Sequence, residues 1–149
     1  MDKFNNFLPN KYKLFINKEE HQLIFYISEE KLTTPEVTIN CLAWLVSIWM
    51  EEDNEMTISW ITTNTGYRGN GLGSLLIIAA TTYYKQKHNV KKIELDDCSD
   101  LSFTKDNIYI KLGFEYINSN EPEMICETST IIKKWSSFNN KNKRKKFYN

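Results

Sequence analysis

Four of the chain's five glycines fall within eight residues, Gly66 to Gly73, and the tightest part of that run is Arg68-Gly69-Asn70-Gly71-Leu72-Gly73. Glycine accepts left-handed backbone and lets main-chain amides come close to a ligand. A helix that starts directly afterwards adds unpaired N–H groups and a partial positive charge. Together these make a cradle for an anion, above all a phosphate; a ligand-free strand-to-helix turn is the plain alternative. A nucleotide-hydrolysing loop needs Lys and then Ser or Thr after its last glycine, whereas Gly73 leads into Ser74-Leu75. A dinucleotide fingerprint needs glycine at 69, 71 and 74, and position 74 is Ser. Cys41, Cys98 and Cys126 are odd in number and widely spaced, which suits neither a disulfide framework nor a zinc site. His21 and His88 are too few and too far apart to hold a metal.

Such a loop requires a strand before it and a helix after it. Met56 to Thr63 reads as the strand. Leu72, Leu75, Leu76, Ala79, Ala80 and Tyr83 recur at spacings of three and four, which predicts an amphipathic helix from Gly71 to His88. Upstream, 11–17 and 22–28 read as a hairpin, and Val37 to Met50 as a long strand returning through an acidic turn. Downstream, Lys91 to Asp97 reads as a strand with Ile93 and Leu95 on one face and Glu94 and Asp96 on the other. A short helix is expected over 104–112, capped by Thr104, carrying Asp106 in its first turn and ended by Gly113. Phe114 to Ile117 and Glu123 to Trp135 read as two closing strands. The order β-β-β-β-α-β-α-β-β predicts an α+β fold, a mixed, mostly antiparallel sheet flanked by helices.

Arg68-Gly69-Asn70-Gly71-Leu72-Gly73 resembles, at every defined position, the pyrophosphate loop of the GNAT family of N-acetyltransferases: Arg or Gln, two residues, Gly, one residue, then Gly or Ala. Tyr109-Ile110-Lys111-Leu112-Gly113-Phe114 looks like a second family segment, Tyr-x-Lys-Leu-Gly-Phe, and follows the first at the expected distance and order. The resemblance spans about residues 55–135. It implies the GNAT-like acyl-CoA N-acyltransferase fold in a single domain, 1–138, followed by a basic tail, 139–149, expected to lack structure. It also implies acetyl-CoA as co-substrate, no metal, and direct attack by an amine in a ternary complex.

By that resemblance, main-chain groups of Ile61, Thr62 and Thr63 pair with pantetheine, and the amides of Gly69, Asn70, Gly71, Leu72, Gly73 and Ser74 hold the pyrophosphate with Arg68 at the rim. Tyr109 donates to the departing thiolate. For the base that takes the amine's proton, Asp97 is the first candidate, with Asp96, Glu123 or a water relay as alternatives. A two-step route through Cys98 is less favoured, because nothing beside it in sequence would lower its pKa. The chain departs from the family pattern twice. Ser102 stands where many members have Asn, which weakens one expected pantetheine contact. Only Lys18 to His21 separates the first two strands, where the family usually places two helices that shape the acceptor pocket. The acceptor site is therefore open, built from other elements, or shared with a second copy in a homodimer.

With 149 residues, 41% of them hydrophobic and 26% charged, the chain has the composition of one globular domain. Its zero net charge hides a split: residues 133–149 hold seven of the 19 basic residues and no acid. The acidic remainder suits a cationic amine. No signal-peptide core or membrane-length apolar run is evident, so a cytoplasmic location is expected, with the basic tail a conceivable nuclear address. Nucleic acid is a less favoured partner than a small molecule. The competing function is a non-catalytic module of the same fold that binds coenzyme A or a protein partner.

Overall fold

In a computed structural model, residues 2–99 and 107–142 are described, the last five of these in main chain only. The sheet has seven strands in the order β1-β2-β3-β4-β5-β7-β6: β1 (Lys13–Lys18), β2 (Leu23–Ser28), β3 (Ala43–Met50), β4 (Glu55–Thr63), β5 (Lys92–Asp96), β6 (Glu115–Tyr116) and β7 (Glu123–Glu127). Only β4 and β5 pair in parallel; every other pairing is antiparallel. The α+β, mostly antiparallel architecture is the expected one. The β1–β2 hairpin closes tightly, with the Glu19 N–H donating to the Gln22 carbonyl at 2.9 Å, so no helix stands between these strands.

Besides the helix expected over 104–112, which starts only at Ile108 and is capped by Asn107 where Thr104 was expected, two stretches differ from expectation. Val37 to Met50 is not one strand: α2 (Thr34–Asn40) precedes β3, after the short α1 (Asp2–Asn5) at the N-terminus. Three β-branched residues among 37–39 favour strand, but Pro35 presets the helical φ of the first turn. The Glu36 carboxylate also accepts from the Thr33 N–H (3.0 Å) and hydroxyl (2.6 Å), half of a capping box. The second difference lies in 123–135, where β7 ends at Glu127 and α5 (Thr128–Asn142) follows at once. The β-branched run Thr128 to Ile132 is overruled by packing, because helical spacing lets Ile131 become fully buried and Trp135 meet the ring of Phe4 edge-on at 4.8 Å. Thr128 anchors the turn into α5, its N–H donating to the Lys91 carbonyl (2.9 Å) and its hydroxyl to that of Val90 (2.8 Å). Helix α5 runs past position 139, where the tail was expected to begin; residues 143–149 lie outside the described residues.

The long helix α3 (Leu72–His88) is enclosed on more sides than its apolar spacing predicts. Ile77, Ile78, Thr81 and Thr82 are buried as well as the periodic leucines and alanines, because α3 packs against α5 in addition to β2, β3 and β4. The two threonine hydroxyls are satisfied by the carbonyls four residues back, Ile77 and Ile78. Leu75, Leu76 and Ala79 meet Phe25, Leu45, Met56 and Ile93 in the main core. The glycine loop is thus carried by the best-buried helix in the domain, and β4 by the centre of the sheet. Among the described residues no helix is long and apolar enough to cross a membrane.

Candidate functional site

Strands β4 and β5 pair only through Met56–Ile93, Thr57–Glu94 and Ile58–Leu95, and past Ile58 they part. On the β3 side Val46 faces Trp60 and Ser47 faces Ile58, which leaves Ser59 as the extra residue of a bulge. A bulge bends its strand and re-aims the side chains beyond it. Here it falls where β4 leaves β5. Ile61, Thr62 and Thr63 consequently keep β3 on one edge and, among the described residues, have no strand partner on the other. A cavity of about 720 Å³ opens in the gap, walled by Ser59, Trp60 and Ile61 of β4, Glu94 and Asp96 of β5, Tyr109, and Glu123 of β7.

Beyond Thr63 the chain makes a 3-10 turn (Thr65–Tyr67) and enters the glycine loop. Gly69 and Gly71 take φ of +85° and +80°, backbone that a side chain would strain. The Asn70 side chain donates to the Tyr67 carbonyl at 3.1 Å, and Arg68 Nε donates to the carbonyl of Thr63 at 3.3 Å, tying the loop to the end of β4. The first intrahelical bond of α3 runs from the Leu75 N–H to the Gly71 carbonyl (2.9 Å). Those of Leu72, Gly73 and Ser74 are the donors that a helix start leaves without intrahelical partners. A second cavity, about 540 Å³, lies against this loop and is lined by Thr63, Arg68, Gly69, Gly71, Leu72, Gly73 and Ser74, with Ile108, Lys111 and Lys134 also in its wall. Missing Cβ atoms, helix-start donors and the Arg68 guanidinium suit a diphosphate. A Cβ at Gly73 would lie 3.4 Å from Ile108 Cδ1, in the wall of this cavity, and 3.9 Å from Ile61 Cδ1, in the wall of the other.

Tyr109 sits in the first turn of α4 (Ile108–Leu112), whose cap is Asn107. Asn107 Oδ1 accepts from the N–H groups of Tyr109 (2.7 Å) and Ile110 (3.3 Å), and the helix ends at Gly113 with φ +107°. Burial, then the charges of Asp97 and Cys98, push the Tyr109 phenol up to about 12, so it is protonated throughout the neutral range.

Asp97 is buried and lines neither cavity. Its Oδ1 accepts from the Ser99 N–H (3.1 Å) and hydroxyl (2.6 Å), and its Oδ2 from Asn107 Nδ2 (2.6 Å) and the Tyr116 hydroxyl (2.7 Å). Burial raises its pKa, but the donors from Ser99, Tyr116 and Asn107 outweigh it, and the carboxyl ends below its ordinary value. Through Asn107 it reaches the cap that orients Tyr109. A folded value below the unfolded one, near 3.9, contributes stability that is present above that pH and lost as pH falls through the folded value. Asp97→Asn, which sets an amide donor against donors, is expected to cost about 1–3 kcal/mol at pH 7. The gap between wild type and variant should close as thermal melts are taken below about pH 4. A gap that stays constant down to pH 3 counts against this account.

Of the remaining expected positions, Asn70 and Thr62 line neither cavity, and Ser102, Thr104 and Asp106 lie outside the described residues. Glu94, Trp60, Lys111 and Lys134 line the cavities without having been singled out beforehand. Glu94 had a signal, its shared strand face with Asp96. Burial raises its carboxyl pKa, as do the nearby charges of Glu55, Glu123, Asp53 and Asp96. Trp60 is 56% exposed, with its ring 6.2 Å from that of Trp44.

A family model described as the acetyltransferase (GNAT) family matches residues 7–114. Mutant forms of the spermidine/spermine N-acetyltransferase SpeG from Vibrio cholerae superpose with a TM-score of 0.61 at 11% identity, over 85% of this chain and 99% of that one. Nourseothricin acetyltransferase gives 0.55 at 13%, over 72% and 66%. A mutant AtaT toxin bound to acetyl-CoA and the C-terminus of the antitoxin AtaR gives 0.54 at 15%, over 74% and 70%. At these identities the likeness is one of fold. No curated protein matches the chain in sequence.

Proposed function

This chain belongs to the acetyltransferase (GNAT) family, and on that premise we propose that it moves the acetyl group of acetyl-CoA to a cationic amine by direct attack in a ternary complex. The observation that carries the reading is a pair of cavities served by one stretch of chain from β4 into α3: one beside a phosphate-type cradle, the other in the strand gap beside Tyr109. Acetyl-CoA supplies a thioester, whose carbonyl carbon accepts a nucleophile and whose thiolate leaves.

The unpaired edge of Ile61 to Thr63 offers main-chain groups to the pantetheine arm, and an N–H there polarises the thioester carbonyl. Among the described residues Glu94, Asp96 and Glu123 line the gap with no cation beside them, which suits an ammonium ion, and the half-exposed face of Trp60 adds a cation–π surface. The amine attacks only after losing a proton. Glu94 fits that task better than Asp97, because its pKa is raised toward neutrality and it faces the cavity, whereas both Asp97 oxygens are committed to hydrogen bonds. Glu94 takes the first proton from the ammonium and passes it to water. As the C–N bond forms and the C–S bond breaks, the nitrogen gives up its second proton to Glu94, again relayed to water, and Tyr109 donates a hydrogen bond to the sulfur. The thiolate then takes a proton from solvent.

The test is a thiol-release assay with acetyl-CoA against monoamines, diamines, polyamines and lysine peptides. Acetylated product from at least one multiply charged amine, with kcat/KM falling as salt is added, supports the reading. Saturable coenzyme A binding without turnover on the whole panel would favour the non-catalytic module instead.

A further inference from the structure

Three cations line the loop-side cavity, each from a different element: Arg68 from the glycine loop, Lys111 from α4 and Lys134 from α5. Among the described residues no acid lines that cavity and neither lysine forms an ion pair. Arg68 is tethered to the end of β4 through Thr63, beside the cradle. The two lysines come from helices that the loop itself does not include. Like charges brought together from separate elements repel, and an anion between them removes that cost.

A diphosphate at the cradle is served by the loop N–H groups and Arg68. Coenzyme A carries a further phosphate, on the ribose 3′ position, which those groups leave without a partner. We propose that Lys134, seconded by Lys111, holds the ribose 3′-phosphate of coenzyme A, so that α5 distinguishes the cofactor from its dephosphorylated form. This rests on the cavity being the coenzyme A site. Lysine suits the role as a mobile point charge on a long stem, able to follow an exposed phosphate. Lys133, the preceding residue of α5, is exposed and lines neither cavity, so it serves as the control.

Calorimetry of the full chain with coenzyme A and with 3′-dephospho-coenzyme A tests the assignment without requiring turnover. Wild type should bind coenzyme A the more tightly. Lys134→Ala should weaken coenzyme A by about tenfold, the scale of one partly exposed charge-assisted contact, and leave the dephospho form within twofold. Lys133→Ala should alter neither, and Lys134→Arg should restore most of the preference. Equal weakening of both ligands by Lys134→Ala, or no weakening of either, overturns the 3′-phosphate assignment while leaving the cofactor site intact. Wild type that binds neither ligand overturns the site itself. Since Lys134 is exposed, the variants should melt with wild type; Lys134→Gln is the second neutral variant should Lys134→Ala not fold.

Discussion

Tyr109→Phe should lower kcat by roughly 10²–10³-fold, the usual cost of removing one well-placed donor from a developing anion, with coenzyme A affinity unchanged within about twofold. The substitution deletes only the hydroxyl. The ring keeps its edge-on contact with Phe114, at a centroid distance of 6.2 Å, and α4 keeps its Asn107 cap. A phenol held near 12 is a poor acid toward a thiolate whose conjugate thiol lies near 8.5, since full transfer would be uphill by about 5 kcal/mol. Tyr109 therefore works by hydrogen bonding and keeps its proton. The variant should then retain the wild-type pH profile up to about pH 10, scaled down, because no limb in that range belongs to the tyrosine. Turnover within twofold of wild type, or a limb that vanishes with the hydroxyl, would remove Tyr109 from the mechanism.

What could be read from the sequence was what depends on neighbours along the chain. The glycine cluster, the apolar spacing of α3 and the stop at Gly113 are local signals, and α3 and the end of α4 lie within a residue of expectation, whereas α4 begins at Ile108, four residues after the expected start. Helix α2 also had a local signal in Thr33, Pro35 and Glu36, overridden by the attraction of a long β-branched run. Helix α5 did not: Thr128 to Ile132 favour strand, and only the contacts of Ile131 with the core and of Trp135 with Phe4 decide otherwise. Lys134 was invisible as a site residue for that reason, since a strand would have sent it elsewhere.

The acids show the same division. Asp97 and Glu94 differ by three positions, so they lie on opposite faces of β5 or its extension, and alternation alone separates them. Which face meets the cavity depends on β4 and β7, distant in sequence. The hydrogen bonds from Asn107 and Tyr116 that occupy Asp97 come from ten and nineteen residues away. A carboxylate at a strand end reads as a base until those partners are known, and Glu94 becomes the better candidate only when its acidic neighbours are gathered round it.

Gly73→Val should abolish measurable coenzyme A binding, a loss of at least about 100-fold, while moving the melting temperature by no more than about 3 °C. The expectation follows from where the new atoms go. Gly73 is the second residue of α3 with ordinary helical backbone, so valine brings no φ strain and a slightly better helix propensity than glycine. Its Cβ would meet the flexible side-chain tips of Ile108 at 3.4 Å and Ile61 at 3.9 Å, both able to shift, so the fold can yield. The methyls beyond that Cβ add bulk beside the tips of Ile108, in the wall of the loop cavity, and Ile61, in the wall of the strand gap. A ligand that occupies both cavities passes beside them, with its phosphates against the very amides the methyls would cover. Gly66→Ala gives the contrast, since a Cβ at 66 meets nothing within 4 Å and the residue lines neither cavity, so affinity should be retained. If Gly73→Val binds coenzyme A like wild type, the cofactor does not cross this helix start, and the glycines serve only the turn.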